Sequence, residues 1–189
     1  MDSPQTALLI IDMQNDFVLP GAPACIDGAH ATLPRIRELL AFFRAARNPV
    51  VHILRSYLPD GSNVERLRRE AFLRNPFVVE GTPGQRVVAD IEPLPGETVI
   101  VKSRFSAFFR TSLDDYLERK GITALAICGT QYPACVRATV MDAVSRDLDV
   151  TLITDATSAA TPEVAAANIR DLMGLGVRCI TTDSFLTSL

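Results

Sequence analysis

Three ionisable side chains of different kinds follow apolar runs of strand length. Asp12 follows Thr6–Ile11, Lys102 follows Glu97–Val101, and Cys135 lies a few residues past Ala124–Cys128. Brought together, a thiol, a carboxylate and an ammonium can run nucleophilic catalysis at a carbonyl carbon. Sulfur attacks, the carboxylate takes its proton, and the ammonium steadies the negative charge. Taken singly, each residue has an ordinary role: Cys135 as a packing thiol, Asp12 as a loop or capping residue, Lys102 as a solvated strand end. Their joint occurrence just past three strands favours chemistry. His30 falls in a loop and His52 inside the strand Val50–Leu54, so no Cys–His pair is evident and Asp12 is the expected proton acceptor.

The elements that must position these groups can be read from hydrophobic pattern. Ala124–Cys128 is a buried strand, Gly129–Tyr132 a tight corner, and Pro133 suits the first turn of the helix that follows. Val136, Val140, Ala143 and Val144 form its apolar stripe. Cys135 then sits in a first helical turn, where the helix dipole is expected to favour the thiolate. A helix over Leu33–Ala46 has Thr32 as its cap, and one over Ser112–Lys120 has Thr111 as cap with Asp114 returning the bond. A helix over Pro162–Met173 opens on Thr161, with Ala165, Ile169, Leu172 and Met173 inward. Val150–Thr154 and Arg178–Thr181 complete six strands. Residues 64–95 lack strong periodicity and suggest a binding loop or lid. Within them Arg66–Arg74 reads as a short helix and Val87–Ile91 as a short strand or turn.

Strand and helix alternate throughout, which predicts an α/β, three-layer, doubly wound sheet of six mostly parallel strands in the order 3-2-1-4-5-6, over one domain spanning 1–189. Ligands bind such sheets at the carboxyl ends of the strands where the order reverses, between strands one and four. The formal net charge of −3 gives no footprint for nucleic acid or an anionic membrane. The apolar runs fall far short of the ~20 residues that span a bilayer. The opening Met-Asp-Ser-Pro-Gln-Thr has no basic region ahead of an apolar stretch, so a cytoplasmic protein is expected. Cys25, Cys128, Cys135 and Cys179 form no Cys-x-x-Cys pair, and free thiols fit best. No G-x-G-x-x-G follows any strand, which argues against a nucleotide-binding sheet.

The segments LLIIDMQNDF, VIVKSRFSAF and CGTQYPACVRATVMDAV resemble the three signature segments of the isochorismatase-like cysteine hydrolases. The ordered set D-x-Q-x-D-F, K-x-R-x-S-A-F and G-(x)5-C-V-x-x-T-x-x-D-A carries the resemblance, which runs from Leu8 to the end and is weakest between residues 56 and 85. It implies that Asp12, Lys102 and Cys135 form a catalytic triad, that the Thr130–Gln131 peptide is cis, and that the chain forms a homodimer or homotetramer. Backbone N–H groups of Gln131 and Cys135 are the expected oxyanion donors. The nicotinamidases of this superfamily carry Asp-x-His after the second strand. Here Arg55-Ser56-Tyr57-Leu58-Pro59-Asp60 stands instead, so no metal or other cofactor is expected and nicotinamide is disfavoured.

Phe17, Tyr57, Phe105, Phe108, Gln131 and Tyr132 are expected to line a small-molecule pocket, although large aromatics also serve as core. Arg55 and Arg104 can grip a substrate carboxylate or, alternatively, form surface salt bridges. The expected function is metal-independent hydrolysis of a C–N bond in a small amide, carbamoyl or ureido compound through a thioester. The alternatives are vinyl-ether cleavage of isochorismatase type, which generally lacks the cysteine, and a non-catalytic member of the same fold.

Overall fold

A computed structural model describes residues 5–188. The opening residues 1–4, read above for a leader, and residue 189 lie outside the described residues. The strands are β1 (Gln5–Ile11), β2 (Val50–Arg55), β3 (Thr98–Lys102), β4 (Ile122–Thr130), β5 (Asp149–Ser158) and β6 (Arg178–Ile180). They form one sheet in the order β3-β2-β1-β4-β5-β6, with every neighbouring pair parallel. This is the predicted topology.

Side chains of β1 explain the layering. Ala7, Leu9 and Ile11 enter one core with Val136, Val140 and Leu172, while Leu8 and Ile10 enter the other with Ile36, Leu40, Phe43 and Phe185. A strand buried on both faces needs no polar alternation, which is why TALLII reads as a continuous apolar run. Helices α1 (Asn15–Val18), α2 (Leu33–Ala45), α3 (Arg69–Arg74), α4 (Leu113–Lys120), α5 (Arg137–Val144), α6 (Pro162–Gly174) and α7 (Thr182–Thr187) complete the chain. Of these, α4, α5 and α6 share the first core and α2 and α7 the second. A third, small core of Tyr57, Val64, Phe72 and Val78 closes the segment after β2 into a cap, with Phe17 and Phe77 packed on it.

Local expectations fared unevenly. Thr161 caps α6 by accepting from the Val164 N–H. Thr32 does not cap α2: a 3-10 turn over His30–Thr32 brings the chain in already helical, and the Thr32 hydroxyl donates to the Ala29 carbonyl at 2.7 Å. Thr111 accepts from Leu113 N–H one position outside the true flank Ser112, and Asp114 pairs with Arg146 at 2.6 Å instead of returning a cap bond. Met173 is 57% exposed and Val144 is exposed as well, each at the last turn of its helix. Residues 89–91 form a 3-10 turn, the second of the two forms read for Val87–Ile91. The final strand stops at Ile180 rather than Thr181 because the Thr181 hydroxyl caps α7.

The switch point is built by backbone contact. Ile11 pairs with Gly129 across β1 and β4, and Gly129 has φ +114°, a conformation side chains rarely adopt. A Cβ there would lie 2.2 Å from the Ile11 carbonyl oxygen. Only glycine lets the two strands approach where Asp12 and the Cys135 turn emerge.

Candidate active site

Asp12 leaves β1 with φ +53°, a left-handed conformation that Asp tolerates better than most residues. Its N–H remains bonded to Ile53 O at 2.8 Å while its own carbonyl accepts from Gln14 N–H. The turn places the carboxylate at the sheet's carboxyl edge. Lys102, the last residue of β3, donates from Nζ to Asp12 Oδ2 at 2.8 Å and to the Arg104 carbonyl at 3.2 Å. Both side chains of the pair are at most 1% exposed. The second carboxylate oxygen, Asp12 Oδ1, is buried and has no partner of good geometry.

Cys135 does not open an α-helix. Tyr132–Val136 is a π turn, with the Val136 N–H reaching back to Gln131 O at 3.3 Å, and α5 begins at Arg137. The Thr130–Gln131 peptide is cis. Thr139, one helical turn on, donates to the Cys135 carbonyl at 2.7 Å and accepts from Ala107 N–H at 3.0 Å, tying the loop after Lys102 to the turn that carries the thiol. The expected thiolate is corrected by the surroundings. Burial pushes the Cys135 thiol up, the Asp12 carboxylate pushes the same way, and Lys102 and Arg55 only partly oppose them. The surroundings thus favour the thiol over the thiolate.

Arg55 is the largest of the fully buried side chains, the opposite of a surface salt bridge. Its Nη2 donates to Cys135 Sγ at 3.0 Å, and its Nη1 donates to Tyr57 Oη at 2.6 Å and Glu65 Oε1 at 2.7 Å. Tyr57 in turn donates to Glu65 Oε2 at 2.7 Å. Gln14 clamps the end of β2 from both sides, accepting from Arg55 N–H at 2.7 Å and donating to Arg55 O at 2.8 Å and Gln85 O at 2.7 Å. Asp16 accepts from Val78 N–H at 2.6 Å and so docks the cap. The D-x-Q-x-D-F segment thus supplies one carboxylate to the site and two clamps behind it.

A cavity of about 250 Å³ opens at this edge, lined among others by Asp12, Phe17, Arg55, Phe105, Gln131 and Cys135. Arg68 and Ile26 also face it, and neither was singled out in the sequence. Four residues expected to bind substrate do not line it. Tyr132 is wholly buried and donates to Thr154 O at 3.1 Å. Phe108 is core, covered by the Arg146 guanidinium 4.4 Å from its ring. Arg104 spends its guanidinium on the Asn63 and Ser103 carbonyls, which fixes the cap rather than a substrate. Tyr57 stands behind the wall, as support for Arg55 and Glu65.

His52 belongs to a separate cluster. Burial lowers its pKa, and the neutral ring bonds Glu97 at 3.1 Å, so it offers nothing to the thiol. The segment after β2 also does not suit a metal ion. Arg55 sends a cation to the thiol, and Asp60 accepts from Ser62 N–H in an exposed turn. Among the described residues no three His, Cys, Asp or Glu side chains converge. Also among them, no helix is long and apolar enough to cross a membrane.

Replacing Arg55 by Met removes a cation in direct contact with sulfur, so the thiol is expected to rise further. Iodoacetamide should then modify Cys135 at least about tenfold more slowly at a fixed pH near 8. Peptide mass spectrometry across a pH series checks this; an unchanged rate would show that Arg55 does not stabilise the thiolate.

A doubly wound parallel sheet binds its ligands at the switch point, and here a carboxylate–ammonium pair and a thiol stand at that place. The Isochorismatase domain model matches residues 6–184, and the chain belongs to that family. It is 41% identical to a protein of Arabidopsis thaliana described as a probable inactive nicotinamidase, over 93% of this chain and 92% of that one. It is 29% identical to the ureidoacrylate amidohydrolase RutB of Azorhizobium caulinodans, over 84% of this chain and 78% of that one. A crystal structure of an isochorismatase family protein from Desulfovibrio vulgaris superposes with a TM-score of 0.95 at 49% identity, each chain covered to 98%. The family therefore includes hydrolases of C–N bonds as well as a member described as inactive.

Proposed function

We propose that this protein is a cysteine hydrolase that cleaves the C–N bond of a small amide, carbamoyl or ureido substrate through a thioester. One observation carries the reading: a thiol facing a small cavity, flanked by a carboxylate with one buried oxygen unengaged and by two cations. The likeness to an amidohydrolase of ureidoacrylate supports the same bond class.

In this mechanism Cys135 Sγ attacks the carbonyl carbon while its proton passes to Asp12 Oδ1. Because burial and the Asp12 carboxylate push the thiol up, deprotonation and attack proceed together. The tetrahedral oxyanion is received by the backbone N–H groups of Gln131 and Cys135. Collapse breaks the C–N bond, and Asp12 returns the proton to the departing nitrogen, which leaves as ammonia or an amine. Water then gives a proton to Asp12 and attacks the thioester carbon, and the C–S bond breaks to restore the thiol and release the acid. Lys102 holds Asp12 in place throughout, and Arg55 stabilises negative charge on sulfur.

A panel of primary amides and ureido acids, scored for ammonia release with intact-mass detection of an acyl adduct, tests the reading. At least one substrate is expected to give ammonia and an adduct on Cys135. Release without any adduct, persisting in Cys135→Ala, would instead indicate chemistry that bypasses sulfur. No release from any compound, with Cys135 no more reactive than Cys25, would make the chain a non-catalytic member of its family.

A further inference from the structure

The ionisable groups gathered at the cavity do not balance. Of the charged groups that line it, Asp12 faces two cations, Arg55 and Arg68; behind the wall Lys102 pairs with Asp12 and Glu65 with Arg55, which leaves the charge of Arg68 over. Asp12 is engaged by Lys102 at 2.8 Å. Glu65 has both oxygens occupied, Oε1 by Arg55 and Oε2 by Tyr57, each at 2.7 Å. Arg68 reaches Glu65 only at 4.0 Å, and among the described residues its side-chain N–H groups make no hydrogen bond.

The surplus charge is nevertheless held in place. The Arg68 guanidinium lies over two rings, Phe77 and Phe105, each 5.5 Å from its central carbon, and faces the cavity with its side chain 42% exposed. Arg55 covers the same Phe105 ring at 5.1 Å. Arg55 also keeps its Nε–H buried with no acceptor. A planar cation stacked on aromatic rings loses little freedom on binding, and its fork matches a carboxylate bidentately.

We infer that the substrate carries a carboxylate, received by Arg68 at the cavity mouth while the scissile carbonyl meets Cys135. This deepens the hydrolase reading and rests on it: the substrate class becomes amides or ureas bearing a single carboxylate. One surplus charge suits a monoanion. Arg55 and Arg104, the arginines expected to grip a carboxylate, are committed to sulfur and to the cap.

Iodoacetate and iodoacetamide attack a thiol at the same carbon and differ by a carboxylate against an amide, so their rate ratio at Cys135 reports the charge preference of the cavity. Rates are read by peptide mass spectrometry on the whole chain, unmodified and as Arg68→Gln. Arg68 is partly exposed, and far-UV circular dichroism checks that the variant keeps its fold. Arg68→Gln is expected to slow iodoacetate about tenfold while changing iodoacetamide by less than about twofold. The same ratio in both proteins would overturn the inference. So would a Cys135 that neither reagent modifies, because a cavity that admits a carboxylic amide must admit iodoacetate. An Arg68-dependent ratio without hydrolysis of any panel compound would leave the carboxylate site standing and remove the hydrolase reading instead.

Discussion

Cys135→Ala is expected to lower ammonia release by at least about 10⁴-fold, the scale of losing a nucleophile from a covalent mechanism. Asp12→Asn keeps the shape of the side chain and removes the proton acceptor, so the expected loss is about 10²–10⁴-fold. The two changes should not add. Without sulfur there is no thiol proton for Asp12 to take, and the double variant should be scarcely slower than Cys135→Ala alone. Steady-state kinetics on a substrate found in the panel measures all three. Additive losses would mean that Asp12 acts on something other than the thiol, and an active Cys135→Ala would return vinyl-ether or water-mediated chemistry to the front. Cys128 offers an internal control. It is a fully buried thiol that burial alone pushes up, and with no carboxylate or cation among the causes its replacement by Ala should cost packing and not catalysis.

The parts legible in the sequence are those set by local pattern. The apolar runs ending at Asp12, Lys102 and near Cys135 announce parallel strands, and topology alone then gathers their ends at one edge. Arg55 was visible as a strand-end cation, but its destination was not. Burying it depends on Glu65, ten residues on, and on Tyr57, and those contacts form only when the cap folds. The cap itself is held by rings far apart in the chain, with Phe17 and Phe77 at 5.7 Å and Tyr57 and Phe72 at 5.3 Å, so residues 64–95 show no helical or strand period. Arg68 was hidden for the same reason: a basic segment says nothing about which of its members faces a cavity. Tyr132 and Phe108 erred in the other direction, since an aromatic next to a site in sequence can as easily point into the core.

Removing Lys102 tests the buried pair by its stability. With both side chains at most 1% exposed, Lys102→Met strands a carboxylate whose Oδ1 already has no partner, so that neither oxygen is satisfied. The expected loss is about 3–5 kcal/mol, the range for breaking a buried ion pair from one side. For a chain of this size that corresponds to a fall in Tm of roughly 10 °C. The double variant Lys102→Met/Asp12→Asn removes the stranded charge, and most of the lost stability should return even though the site is disabled in both proteins. Denaturant melts of the four proteins of this cycle decide the matter. A double variant no more stable than Lys102→Met would mean that the ammonium is held by packing and by the Arg104 carbonyl rather than by Asp12. Recovery would show that most of the loss comes from the stranded carboxylate, and a double variant more stable than the unmodified protein would show that the pair sits there at a net cost to folding.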